Sequence, residues 1–294
     1  MRNYLSDFLP RIEVSRKDID FLLSVYDVIA SDERAFAVFN EALDLYDTDM
    51  NCDFKRIVEL ADSAAEVTGI QEFTAEFISL AALSRRLKDN YAARGLSDEL
   101  FYHTMLDLKY KLEECKLVKG IVGTFVPGWF GGFFNMTRFA LGRMQFEMKD
   151  FGESYEKDGR VLVPESRVIN MHIPRSLKPL DKASCDEAFA LAAEFFADAA
   201  GESPAFVCNS WLLYPENKKI LSPASNTYKF IERFDIIRTS VDKNLNNLWR
   251  IFDTDERNPA KLPADTSMRR AFAEHLLGGG KMGTAYGVFF YKNT

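Results

Sequence analysis

The sequence predicts an α+β protein in two parts: an all-α N-terminal domain, then a C-terminal α/β domain in which helices cover a mixed central sheet. Three observations carry this. Apolar residues recur every three or four positions from Lys17 to about Leu117, the period shortens towards two after Arg138, and an uncharged stretch rich in glycine and aromatic rings separates the two textures. The boundaries follow as residues 1–119 for the helical domain, 120–137 for a linker and 138–294 for the mixed domain. A chain of 294 residues is long enough for two ordinary domains.

In the helical part, Ile19, Leu22, Leu23, Tyr26 and Ile29 share one face, as do Phe36, Phe39, Leu43 and Tyr46, and then Ile57, Leu60 and Ala64. Phe73, Phe77, Leu80, Leu83 and Leu87 continue the pattern, and Ser97 opens a further helix after a break at Gly95. The linker places Trp129, Phe130, Phe133 and Phe134 among five glycines, a composition for tight turns and buried rings and not for a membrane span.

Beyond it, Met144, Phe146 and Met148 alternate with polar residues as a first strand. Val161 to Val163 and Val168 to Ile173 read as a second and third, with Gly159 turning the hairpin between the first two. Asp181 is placed to cap a helix whose face carries Phe189, Ala192 and Phe196. A buried strand then runs from Phe206 through Leu213 to Tyr214-Pro215, and after a loop Ser225 or Asn226 is placed to cap a helix with Tyr228, Phe230 and Ile231. Phe234 to Val241 and Asn247 to Phe252 read as two strands about a polar turn, Thr266 to Leu277 as a helix ending in three glycines, and Ala285 to Tyr291 as the closing strand.

The net charge of −7 argues against nucleic acid or an anionic membrane as the main partner, since both call for basic patches. The four cysteines, Cys52, Cys115, Cys185 and Cys208, form no Cys-x-x-Cys pair, and with only three histidines no metal-site spacing is present, so no metal is expected. The N-terminus lacks an apolar secretory region, and reduced thiols place the expected location in the cytoplasm.

Several residues carry usable chemistry. His172 ends an apolar strand, where α/β sites gather, and an imidazole can deprotonate an amine; the plainer role is a hydrogen bond to nearby backbone. Tyr214 and Tyr228 can donate a proton to a leaving group or simply pack. Cys208 and Ser210 stand on the central strand, but no Gly-x-Ser-x-Gly elbow surrounds Ser210, which favours direct transfer over a covalent intermediate. Arg138 and Arg143 bracket the start of the sheet and can clamp an anion or pair with an acid such as Glu147. His103 and His275 have no evident chemical neighbour in the sequence.

The segments LGRMQFEM, MHIPRS, CDEAFALAAEFF, SWLLYP and SNTYKFIERF, in that order between Leu141 and Phe234, resemble the bacterial acyltransferase domain-containing proteins. Those pair a helical N-terminal domain with a C-terminal domain like the GNAT superfamily of N-acetyltransferases. The resemblance implies an acyl-CoA or acetyl-CoA co-substrate, an amine acceptor and a central strand that pairs with the pantetheine arm. Carried onto this sequence, that strand is Val207 to Leu213, with Cys208, Ser210, Trp211 and Leu212. The turn receiving the pyrophosphate is Ser222 to Thr227, with Ser225, Asn226 and Thr227. The family pattern has a glycine-rich loop there, whereas this chain has no glycine between Glu202 and Gly278, which limits how closely backbone can approach a phosphate. Two readings follow: an N-acyltransferase working by direct attack, or a non-catalytic GNAT-like module that binds a ligand or a protein after losing that loop.

Overall fold

The computed structural model describes residues 1–176, 178–201 and 203–292, and the chain divides into two compact units, Met1–Phe139 and Ala140–Thr294. The first unit holds α1 (Arg2–Arg11), α2 (Arg16–Ser31), α3 (Glu33–Thr48), α4 (Phe54–Thr68), α5 (Glu72–Ala93) and α6 (Asp98–Lys119). Ser15, Asp32, Asp53, Gln71 and Ser97 cap α2 to α6 in turn with side-chain oxygens, and Gly69 and Gly120 end α4 and α6 in the left-handed region. Helix α1 lies before the region the periodicity marks. Its buried face, Leu5, Phe8 and Leu9, is too short to read as periodic, and Pro10 sits inside its last turn. No helix among the described residues is long and apolar enough to cross a membrane.

Residues 120–137 pack as part of this helical unit. They form a 3-10 turn (Pro127–Phe130) and α7 (Gly131–Phe134), with Phe130, Phe133 and Phe134 fully buried. Tyr46 donates to the Phe134 carbonyl at 2.7 Å, Trp129 Nε1 donates to Asp107 at 2.8 Å, and Thr124 N donates to the Phe73 carbonyl at 2.9 Å. Gly123 is required here, because a Cβ would stand 2.3 Å from the Phe73 oxygen.

The mixed domain opens with β1 (Arg138–Leu141) and β2 (Met144–Asp150), then a small hairpin, β3 (Tyr155–Lys157) and β4 (Arg160–Leu162), then β5 (Arg167–His172), α8 (Lys182–Phe195) and α9 (Ala197–Ala200). It continues with β6 (Ala205–Ser210), a 3-10 turn (Trp211–Leu213), α10 (Asn217–Ile220), α11 (Asn226–Ile231) and β7 (Asp235–Val241). After α12 (Trp249–Phe252) and a 3-10 turn (Pro259–Lys261), α13 (Ser267–Leu277) leads into β8 (Gly283–Phe290). The main sheet runs β1-β2-β5-β6-β8-β7, while β3 and β4 pair only with each other.

Three expectations need correction. The Gly159 turn joins β3 to β4, since Asp158 and Gly159 both take positive φ as a two-residue hairpin loop requires, and β2 pairs instead with β5. The central strand stops at Ser210 and not at Leu213: Ser210 Oγ accepts from Leu212 N at 3.1 Å, and buried Asn217 Nδ2 donates to the Trp211 and Leu212 carbonyls at 2.8 and 2.9 Å, folding Trp211–Leu213 into a turn. Residues 247–252 form a turn leading into the short helix α12 (Trp249–Phe252), not a strand. Leu248, Ile251 and Phe252 repeat at three and four and bury against Phe272 and Leu276 of α13.

One face of the sheet is closed by α8. Phe206 lies 4.9 Å from Phe189 of that helix, 5.3 Å from Phe289 and 5.8 Å from Phe146 between ring centroids. Burying one such ring contributes roughly 1.5–3 kcal/mol. Gly142, in the turn before β2, lets that turn approach the Ala188 backbone of α8, where a Cβ would meet Cα at 3.2 Å. The other face packs Val168, Val207, Tyr286 and Val288 with Phe151 and Leu162 of β4.

Candidate active site

Strands β5 and β6 run parallel and are paired at Ile169 with Phe206 and at Asn170 with Val207. Beyond these pairs, β5 continues to His172 and β6 to Ser210 without further register between them. The ladder therefore ends short of the carboxyl ends of this parallel pair, the edge at which α/β sheets bind ligands.

Side-chain alternation decides what faces it. Glu147 of β2 lies opposite Asn170 of β5, and Gln145 opposite His172, so these four share one face. It is the face of Val168 and Val207, away from α8, and Asn209 of β6 belongs to it. His172 Nε2 is 2.8 Å from Glu147 Oε1, Asn170 Nδ2 donates to the same oxygen at 2.8 Å, and the two nitrogens are 3.1 Å apart. Asn170 is buried, while His172 and Glu147 keep about a fifth of their side chains exposed, 22% and 18%. A histidine backed by a carboxylate at the open end of a strand has the parts of a general base: a ring that can take a proton and an acid that orients it.

The other residues singled out in the sequence are distributed differently. Cys208 and Ser210 point to the opposite face, towards α8. Cys208 is buried, which pushes its thiol up to about 12, and Ser210 Oγ is used by the turn that follows. Trp211 and Leu212 leave the strand. Trp211 meets Phe272 edge-on at 6.1 Å and packs on the α12–α13 cluster. Tyr214 is buried against the first residue of β8, since a Cβ on Gly283 would stand 2.6 Å from its ring, and burial raises its hydroxyl pKa. It shares the sheet edge of His172 but stands two strands away, roughly 10 Å at the usual spacing.

Ser225 is the cap of α11, with its Oγ 3.2 Å from Tyr228 N, and Asn226 and Thr227 are the first residues of the helix. That helix has six residues, and the turn before it already uses Ser222 to accept from Ala224 N and Ser225 N. Tyr228 lies under Lys218, whose Nζ is 5.5 Å from the ring. The structure thus places Ser225, Asn226, Thr227 and Tyr228 at the start of one helix and His172 on β5.

The longer helix at this edge is α8, with fourteen residues, which follows β5. Asp181 caps it, accepting from Ser184 N at 2.8 Å, and residues 160–200 contain no glycine. Arg143 holds the connection from β5 by donating to the Pro174 carbonyl at 3.0 Å and the Lys178 carbonyl at 2.8 Å. Arg175 grips Asp253, which also binds Arg269. Glu147 entered the sequence reading only as a partner for an arginine, and Asn170 and Asn209 not at all. Their signal is a polar residue at alternate positions of an otherwise apolar strand, which becomes legible once register is known. Among the described residues no group of three or more His, Cys, Asp or Glu side chains is disposed to hold a metal ion.

Among solved structures, an acyltransferase in complex with decanoyl-CoA and teicoplanin superposes with a TM-score of 0.77 at 19% identity, over 98% of this chain and 87% of that one. A mutant acyltransferase in complex with octanoyl-CoA gives the same values, and an acyltransferase in complex with decanoyl-CoA a TM-score of 0.74 at 19% identity over 98% and 88%. At that identity the likeness speaks for the fold. No curated protein matches the chain. Residues 3–136 match the N-acyltransferase N-terminal domain and residues 139–289 the GNAT-like C-terminal domain. The chain therefore belongs to the family that joins an N-acyltransferase N-terminal domain to a GNAT-like C-terminal domain.

Proposed function

We propose that the protein is an acyltransferase that moves an acyl group from acyl-CoA to an amine by direct attack, with His172 as general base. The observation that carries this is the His172–Glu147 pair at the sheet edge where the β5–β6 ladder ends. The strand ends beyond the ladder offer backbone groups to an extended pantetheine arm. The fold neighbours hold octanoyl- and decanoyl-CoA, which favours a medium-length acyl chain as the donor.

In this mechanism the acceptor nitrogen attacks the thioester carbonyl carbon while His172 takes the nitrogen's proton. The C–N bond forms, the C–S bond breaks, and the electron pair leaves on sulfur. The imidazolium supplies the proton that makes the thiol of CoA. Imidazolium is the stronger acid, since burial raises the Tyr214 hydroxyl further above its ordinary value, so Tyr214 serves as a relay or as an orienting group.

Thermal melting with CoA, acetyl-CoA, octanoyl-CoA and decanoyl-CoA tests donor binding. A ligand held only by the folded state at about 100 times its Kd adds roughly 2.7 kcal/mol. A dose-dependent rise, largest for the medium chains, is expected, followed by release of CoA in a screen of amines. A second reading, a ligand-binding module without catalysis, is favoured by the acidic cap on α8 and the glycine-free connection before it. No shift with any CoA species at millimolar concentration would end the first reading and leave the second.

A further inference from the structure

Three hydrogen-bonding groups meet at one oxygen in the candidate site, and their chemistry restricts how protons can be arranged. Asn170 Nδ2 only donates, and Glu147 Oε1 accepts it at 2.8 Å. His172 Nε2 lies 2.8 Å from the same oxygen and 3.1 Å from Asn170 Nδ2. If Nε2 carried a lone pair it would accept from Asn170 and face the carboxylate oxygen lone pair to lone pair. If Nε2 carries the hydrogen, both donors point at Oε1, and the two nitrogens, 3.1 Å apart, lie side by side as donors to one shared carboxylate oxygen. The second arrangement satisfies all three groups and uses the stronger, charge-assisted bond.

We propose that Asn170 is a positioning residue for the base: by donating to Glu147 Oε1 it holds the carboxylate where His172 Nε2–H must point at it, fixing the ring in the tautomer whose lone pair is on Nδ1. Two features single Asn170 out. It is 6% exposed at a sheet edge where apolar side chains would otherwise fill the space, and it is the direct cross-strand neighbour of Glu147, so the bond is set by sheet register and not by side-chain choice. The inference rests on the reading of His172 as base, but its tautomer readout needs neither donor nor acceptor.

The test is long-range nitrogen–proton correlation of the histidine rings in the intact protein, which has only three histidines, combined with the transfer rate. The expected wild-type signature is His172 protonated at Nε2 with an unprotonated Nδ1. Asn170→Leu removes the donor, and Asn170→Asp keeps the shape but replaces the donor with an acceptor. Both should give mixed tautomers at His172 and a rate loss of roughly 10- to 100-fold, in line with losing a hydrogen bond to a charged group, with donor affinity unchanged. A packing role predicts an unchanged His172 tautomer in both variants, so the ring spectrum of Asn170→Asp decides the matter even where Asn170→Leu does not fold. A wild-type ring protonated at Nδ1, or a His172 spectrum unmoved in Asn170→Asp, overturns the proposal. An absent transfer activity with the expected tautomer would count against the acyltransferase reading alone.

Discussion

Replacing Glu76 by Gln should make the protein more stable at neutral pH. Glu76 of α5 is 6% exposed and faces Asp62 of α4, with Glu72, Glu59 and the Cys115 thiol nearby. No donor reaches Glu76 Oε2 or Asp62 Oδ1 unless one of the two carboxyls carries a proton. Burial first, and then the negative charge of Asp62, push Glu76 from its ordinary 4.5 up to about 9. The sign follows from proton counting. Between those two values the unfolded chain has released a proton that the folded chain retains, so the stabilisation is complete below 4.5 and is lost as pH rises towards 9. At pH 7 the loss spans about 2.5 pH units at about 1.36 kcal/mol each, a ceiling of roughly 3 kcal/mol. Gln does not titrate, keeps the volume and can donate to Asp62. Urea denaturation at pH 5, 7 and 9 should show the wild type weakening with pH and Glu76→Gln nearly flat and more stable at pH 7. A variant no more stable than wild type at pH 7, with the same slope, would refute the shared proton.

Four further outcomes are expected. His172→Gln should lower transfer by roughly 10²–10⁴, the usual contribution of a general base, while the donor-induced melting shift stays the same. Gly283→Ala should cost about 1–3 kcal/mol in urea and perturb Tyr214 fluorescence, because the new Cβ would stand 2.2 Å from the Ser240 carbonyl and 2.6 Å from the Tyr214 ring. A thiol reagent at pH 8 should leave Cys115, Cys185 and Cys208 unmodified in the native protein, since burial holds their thiols at about 12, 11 and 12, and all should react after unfolding. Phe206→Ala should cost about 3–5 kcal/mol by urea denaturation, the range for truncating a fully buried ring.

Local chemistry was the legible part. The helices α2 to α6 follow from apolar spacing, and Ser97, Asp181, Ser225 and Thr266 act as caps because a short side chain with an acceptor oxygen bonds the next free amide whatever surrounds it. His172 at a strand end is legible from the apolar strand that runs up to it and stops before Pro174. Residues 247–252 were misread because six apolar and polar residues fit both periods, and only packing on Phe272 selects the helical one. The end of β6 was misread because a serine and a buried asparagine, several residues apart, fold back on the backbone.

By itself, then, the sequence determined helices α2 to α6, the caps named above and the change from a helical to a mixed texture. Only the tertiary structure decided which strands are neighbours. Pairing β2 with β5 brings Glu147 and Asn170 to His172, and alternation along β6 sends Cys208 and Ser210 to the other face. Register is a property of two strands at once: a shift of one residue would exchange the faces, so a site assembled across strands has no local signature to read.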